Sequence, residues 1–375
     1  MRTKTLTCIF VFLIFSLSLL GLILPDRTFS ENENRYLEKL PSFSLKALFD
    51  GSYTADFESY ITDQFPLRDE WIAIKTAAER LIGKKESGGV YFAGNGSLIE
   101  KFDVLDEEQF ATNVGYLQTY SQRLQEQYGI TPQVMLVPTA SAIYPDALPL
   151  FAPEVEQATL INQLRDAGLD VVDVTAALSA HCDEYIYYRT DHHWTSLGAY
   201  YAYTAYREAM GDTAASFDSY TSEVITDDFY GTLYSKVGIK DVAADTITAC
   251  YPQRPIHVSY NLGQSESDSY YEYSYLDKGD EYSVFLNANQ SLSVISGGAD
   301  NNRHLVVFKD SYANTFLQFA VNDYETIHVI DLRYFAMSVD AYLEENVLTL
   351  GGETDVLVLY NTKGFSEDRN LFWLK

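Results

Sequence analysis

Ser311, His193 and Asp191 are the residues of this chain whose types and setting could do chemistry together. A serine hydroxyl is a weak nucleophile until a neighbouring base takes its proton. An imidazole serves as that base best when a carboxylate holds its other nitrogen. The base and the acid come in one stretch, YYRTDHHWTSLGAYYAY, residues 187–203. Histidine is scarce, six in 375 residues, and two of the six stand between Asp191 and Trp194. In an extended segment, residues two apart share a face. Asp191 then meets the Nδ1–H of His193, whose Nε2 is left for a serine proton. His192 points the other way and is expected to be structural, and Trp194 to wall the site against water. The nucleophile is expected in RHLVVFKDSYANTFLQF, residues 303–319, where an apolar strand runs into a turn and a helix. Ser311 falls at that turn, and its own N–H joins the helix N-terminus, where orphan N–H groups and the dipole favour an oxyanion. A simple helix cap would account for Asp310-Ser311 equally well. The chemistry implied is acyl transfer through a serine ester.

Asp-His-His also offers metal ligands. Adjacent histidines on a strand diverge, however, and the sequence has no HExxH, CxxC or Cys/His cluster, so neither a metal nor a cofactor is expected. Of three cysteines, Cys8 lies in an apolar run; Cys182 and Cys250 either pair or remain two free thiols.

The elements that must carry these residues read as an α/β rhythm. Residues 107–128 and 153–167 have helical periodicity, and QVMLVP (133–138) and LDVVDV (169–174) read as strands. Thr195 or Ser196 caps a helix to about Met210. After residue 300 come a strand (304–308), a helix (312–322), a strand (326–332), a helix (339–349) and a strand (356–360). This alternation predicts a doubly wound parallel sheet, with the site at the carboxyl ends of its strands. VYFAGNGSLIE, residues 90–100, predicts a hairpin. Residues 216–300, rich in Tyr, Ser, Asp and Thr, read as a β-rich surface insertion. Its tyrosines either face sugar or line exposed strands.

The formal net charge of −27 repels nucleic acid and anionic lipid. Residues 6–24, LTCIFVFLIFSLSLLGLIL, are uncharged and long enough to cross a bilayer, with Arg2 and Lys4 before them. They predict an uncleaved signal anchor over residues 1–25, a linker over 26–42, and an extracytoplasmic domain over 43–375. A cleaved signal peptide is the alternative.

TDHHW, with the later FKDSYA and DLRY, resembles the DHHW-motif family, which is similar to the alginate O-acetyltransferase-type proteins of the SGNH hydrolase-like superfamily. FESYITDQFPLRDEW, VPTASAIYPDALP, DDFYGTLYSKVG and VLVLYN extend the resemblance over nearly all of the chain beyond the apolar segment. Asp63 and Arg68 of the first of these are expected to be structural. The resemblance implies a permuted order, with Asp191 and His193 ahead of Ser311 as a catalytic triad. It implies Asn289 as a second oxyanion donor beside Ser311, although Asn287-Ala288 stands where relatives have two glycines. Arg333, Trp194 and Tyr312 are expected near substrate, Arg333 equally as a loop anchor. The implied function is acetyl transfer onto a cell-surface polysaccharide through an acetyl-serine. The implied partner is a membrane-bound O-acyltransferase-type protein that supplies the acetyl group. A carbohydrate acetyl esterase with the same triad, and an inert polysaccharide-binding or assembly protein, are the other readings.

Overall fold

The computed structural model describes residues 2–30 and 35–375. Four residues of the expected linker, 31–34, lie outside the described residues. The chain divides into two compact units, Met1–Gly88 with Tyr234–Asp241, and Gly89–Leu233 with Val242–Lys375.

The first unit is mainly helical. Arg2–Ile23 is one helix, long and apolar enough to span a membrane or to act as a signal sequence. Helices Leu45–Asp50, Ser52–Asp63 and Arg68–Leu81 follow. Asp63 is buried and accepts the Glu38 N–H at 2.9 Å, a structural role.

The second unit holds an eight-stranded sheet. In chain order its strands are β1 (Gln133–Val137), β2 (Asp170–Val171), β3 (His257–Tyr260), β4 (Ser265–Ser267), β5 (Leu292–Ser296), β6 (Arg303–Lys309), β7 (Thr326–Ile330) and β8 (Glu353–Asn361). Their spatial order is β4-β3-β5-β7-β6-β8-β1-β2. From β7 to β2 all neighbours are parallel, while β5, β3 and β4 run antiparallel. The sheet is thus mixed, where the α/β rhythm predicted a parallel one. Connection length decides this. The parallel neighbours are joined through segments containing helices. Only residues 261–264 join β3 to β4, and only 297–302 join β5 to β6, too few for a parallel crossover.

Among the helices of this unit are α1 (Glu107–Tyr128), α2 (Gln157–Asp166), α3 (Ser196–Ala209), α4 (Ala313–Ala320) and α5 (Val339–Asn346). Asp106 accepts the Gln109 N–H at the start of α1, and Gly129 ends it at φ 70°. Alternation along β6 feeds two cores. Leu305 and Val307 pack with Ala199, Tyr203 and Phe316, whereas Val306 and Phe308 pack with Phe110, Leu117 and Tyr120.

Residues 216–300 are not a surface insertion. They supply three strands of the main sheet and a separate antiparallel pair, Ser222–Phe229 with Asp245–Cys250. Tyr260, Tyr270, Tyr271 and Tyr282 are buried, and none forms an exposed sugar-stacking face. Cys182 is exposed, Cys250 is buried, and the two are not bonded.

Candidate active site

The turn that carries Ser311, the candidate nucleophile, follows β6 directly. Asp310 N–H donates to the carbonyl of Leu359 on β8, which extends the pairing one residue past the strand. The chain then turns at Ser311, and α4 begins at Ala313. Buried Asp310 fixes the turn: its carboxylate accepts the Tyr312 N–H at 2.9 Å and both the backbone and side-chain amides of Asn361 at 2.7 Å. Burial lifts the Asp310 carboxyl to about 6. The Ser311 N–H carries no hydrogen bond among the described residues, so it remains available to an oxyanion.

Ser311 Oγ lies 2.7 Å from His193 Nε2, across 118 residues of sequence. His193 Nδ1 lies 2.5 Å from Asp191 Oδ1. Asp191 Oδ1 also accepts the His193 backbone N–H at 3.0 Å, and Oδ2 accepts the N–H and hydroxyl of Thr232 at 2.8 and 2.9 Å. The acid is therefore fully engaged, and it orients its histidine twice, through ring and backbone. Burial would raise the Asp191 carboxyl, but the charges of His192 and His193 and the hydrogen bonds outweigh it and hold it below the usual carboxylate range. Burial, followed by the charge of His192, pushes the His193 imidazole down to about 4 against the pull of Asp191. The ring is thus a neutral base at ordinary pH.

The loop bearing these groups is built from its surroundings. Tyr187 bridges Trp194, so residues 188–193 are the bend of a narrow hairpin rather than a strand. Asp245, wholly buried, accepts the Arg189 and Thr190 N–H groups at 2.8 and 2.7 Å and pins the approach to Asp191. Gly231 faces the acid: an added Cβ would stand 2.4 Å from Asp191 Oδ2. Trp194 is wholly buried, with its indole N–H on the Tyr312 carbonyl at 3.0 Å. Tyr312 is buried too, its hydroxyl on the His192 carbonyl. Neither ring is open to substrate, contrary to expectation. They brace the histidine loop against the turn of Ser311.

His192 also departs from expectation. Its ring lies 3.9 Å from that of His193, and it lines the same cleft as Ser311. Two-residue alternation fails because the segment bends. Asp191, His192 and His193 offer three ligand atoms within 4.8 Å. The Asp191 oxygens and His193 Nδ1 are spent on one another and on Thr232, which leaves no coherent ligand set.

Sequence reasoning missed Tyr282. Its ring stacks on His193 at 3.7 Å between centroids and 9° between planes, and its hydroxyl donates to the Ser311 carbonyl at 3.1 Å. A tyrosine among thirty gives no signal. Thr232 and Gly231 had one, in DDFYGTLYSKVG.

The cleft at Ser311 measures about 450 Å³, and His192, Glu100, Arg333 and Lys363 are among its lining. Arg333 grips Asp331 through Nε at 2.8 Å and its terminal nitrogen at 2.6 Å, so it both anchors its loop and faces the cleft. Asn289 lies on neighbouring Lys309: its Oδ1 accepts from Lys309 Nζ at 2.7 Å. An ammonium only donates, which assigns Oδ1 to that contact and leaves Nδ2 as a donor. Leu286, Asn287 and Ala288 just before it have φ of 52°, 55° and 66°. The backbone keeps the left-handed path that glycines would take freely, at a cost. Ala288→Gly is expected to stabilise the fold by about 1 kcal/mol net, read as a higher urea midpoint at unchanged slope.

The DHHW protein family profile matches residues 164–330. The chain is 26% identical over 175 residues to the probable alginate O-acetylase AlgJ of Pseudomonas syringae pv. tomato, 44% of each chain. It thus spans less than half the length of that curated relative. Its fold is similar to that of a DHHW family protein from Eubacterium siraeum, with TM-score 0.64, 27% identity, and cover of 77% of this chain and 95% of that one. Bacillus cereus PatB1, solved with a sulfonyl adduct, shares the fold at TM-score 0.60 and 16% identity, over 76% of this chain and 96% of its own. The stretch that carries Asp191, His193 and Ser311 is therefore a match to the DHHW protein family, and the chain resembles that family in fold as well.

Proposed function

We propose that the protein is an O-acetyltransferase that moves acetyl groups onto a cell-surface polysaccharide through an acetyl-Ser311 intermediate. The single observation that carries this reading is the hydrogen-bonded line from Ser311 through His193 to Asp191, opening on a cleft. The curated relative, described as a probable alginate O-acetylase, supports acetyl transfer over hydrolysis.

His193 Nε2 takes the Ser311 proton as Oγ attacks the acetyl carbonyl of the donor. The tetrahedral oxyanion is met by the Ser311 N–H and the Asn289 amide. Collapse breaks the donor's acyl bond, and the imidazolium returns its proton to the leaving group. A sugar hydroxyl then gives its proton to His193, attacks the acetyl-serine and leaves acetylated, and Ser311 regains the proton. Asp191 stabilises each imidazolium. The Arg2–Ile23 helix would hold the chain at the membrane, beside an O-acyltransferase-type partner that passes acetyl groups outward.

The decisive experiment is intact-mass detection of acetyl-Ser311 from an activated acetyl ester, followed by its transfer to an added oligosaccharide. Hydrolysis that no sugar diverts would identify an esterase, and absence of the acetyl-serine with the membrane partner present would leave a binding protein.

Activity requires neutral His193, whose pKa lies below the ordinary 6.5. Turnover is therefore expected to persist below pH 6.5 and to fall only as acid protonates the ring. Burial also lowers Lys309, to about 8. Above that pH the ammonium that orients Asn289 loses its charge, so a basic limb should appear near 8. Lys309→Met should abolish that limb and lower the plateau by about 10²-fold, the size of a lost oxyanion donor. The pH profile of kcat/KM tests both limbs.

A further inference from the structure

The acyl-transfer steps make no use of His192, yet its ring faces the cleft. Its side chain is 28% exposed, against 6% for His193, and it lines the cleft together with Ser311. The residue is held at two points. The Tyr312 hydroxyl donates to its carbonyl, and its Nδ1 lies 2.9 Å from Thr232 Oγ1.

The hydrogen-bond network around Thr232 assigns the tautomer of His192. The Asp191 carboxyl is held below the usual carboxylate range, so it is ionised and only accepts. The Thr232 hydroxyl lies 2.9 Å from Asp191 Oδ2, and its single proton is given there. Towards His192, Thr232 Oγ1 has only a lone pair to offer, so Nδ1 is the nitrogen that carries the proton. In the neutral ring Nε2 is then an acceptor. It has no hydrogen-bond partner among the described residues. One carboxylate thus sets two rings: Oδ1 holds His193 directly, and Oδ2 holds His192 through Thr232. Each ring presents an acceptor Nε2, and that of His193 is on Ser311 Oγ.

An atom that only accepts does not suit the acetyl group, whose carbonyl oxygen and oxyanion call for N–H or O–H donors. It suits a hydroxyl. The attacking hydroxyl has one proton, and that proton goes to His193 Nε2. The hydroxyl on His192 is therefore a second one. The two rings lie 3.9 Å apart between centroids, a spacing of the same order as that between oxygens on adjacent carbons of a sugar.

We propose that His192 Nε2 accepts a hydrogen bond from the hydroxyl beside the one that is acetylated, so that the site selects a sugar with two adjacent free hydroxyls. The inference rests on the transfer reading and narrows its acceptor. In the step itself, the attacking oxygen bonds to the acetyl carbonyl carbon and gives its proton to His193. The bond from that carbon to Ser311 Oγ breaks, and Oγ takes the proton. The bond to His192 moves no proton; it fixes which oxygen faces the acyl carbon.

The test uses the full chain in detergent, acetylated with nitrophenyl acetate, with methyl glucoside and cyclohexanol present together. The glucoside carries adjacent hydroxyls and cyclohexanol a single one. Mass spectrometry reads the ratio of the two acetylated products. Both come from one acetyl-enzyme, so changes in acetylation rate or in folded fraction cancel. In His192→Asn the side-chain amide stands near the place of Nδ1, keeps a donor for Thr232 and removes the acceptor in the cleft. The ratio of glucoside to cyclohexanol ester is expected to fall about tenfold, the size of one lost hydrogen bond. His192→Gln, whose amide oxygen reaches the place of Nε2, should restore the ratio to within about threefold of the parent. A His192→Asn ratio equal to the parent's, as a merely structural role would give, overturns the proposal. So does a His192→Gln ratio as low as that of His192→Asn, or no glucoside ester from the parent. Absence of acetyl-Ser311 in the parent would overturn the transfer reading, and this role with it.

Discussion

Replacing Ser311 with alanine is expected to remove acetyl-ester turnover, a loss of about 10⁶-fold on the scale of other serine triads. No other hydroxyl is placed to take over. Thr232 is committed to Asp191, and the Tyr282 hydroxyl to the Ser311 carbonyl and Thr315. The variant should fold normally, since the Ser311 side chain touches only the base and lies at the cleft. The measurement is initial rate with an activated acetyl ester, paired with intact mass for the acetyl adduct. Activity that survives the substitution would place the nucleophile elsewhere.

Asp191→Asn is the second large effect, a fall of about 10³ to 10⁴-fold in kcat. An asparagine keeps the shape but can present an N–H to His193 Nδ1 in place of an acceptor. The histidine then carries its proton on Nε2, where it cannot serve as base. A second variant tests position apart from charge. In Gly231→Ala the new methyl would fall 2.4 Å from Asp191 Oδ2, so the carboxylate must shift with its charge intact. A misplacement on that scale is expected to cost about 10²-fold. The two variants should separate in the ratio of their losses. Equal rates in wild type and Gly231→Ala would show that Asp191 has room to relax, and that its exact seat does not matter.

The three residues of the candidate triad were legible because their types are rare or their context is sharp: a paired histidine in a chain with six, and a serine where a strand becomes a helix. Their support was not legible. His192 was placed on the wrong face because alternation was assumed for a segment that the Tyr187–Trp194 bridge bends into a hairpin. Trp194 and Tyr312 read as substrate contacts because aromatic residues beside a motif look exposed; only the packed structure shows them inside. The sequence of strands β3 to β5 reads as a surface appendage. Their composition is polar between the tyrosines, and nothing local reports that those tyrosines face a core. Lys309 and Asn289 meet across twenty residues through a partly buried hydrogen bond, a pairing that neither residue's neighbours announce.

The position of β8 has a consequence for how the site comes into being. β8 lies between β6 and β1, yet it follows both in sequence. Without β8 the strand order would break into two pieces. One piece is β1 with β2, and the loop bearing Asp191 and His193 leaves from it. The other runs from β4 through β6 and carries Ser311. β8 joins the two, and its last residue, Asn361, also grips Asp310 and sets the turn of Ser311. The strand that closes the sheet is thus also the strand that holds the turn of Ser311.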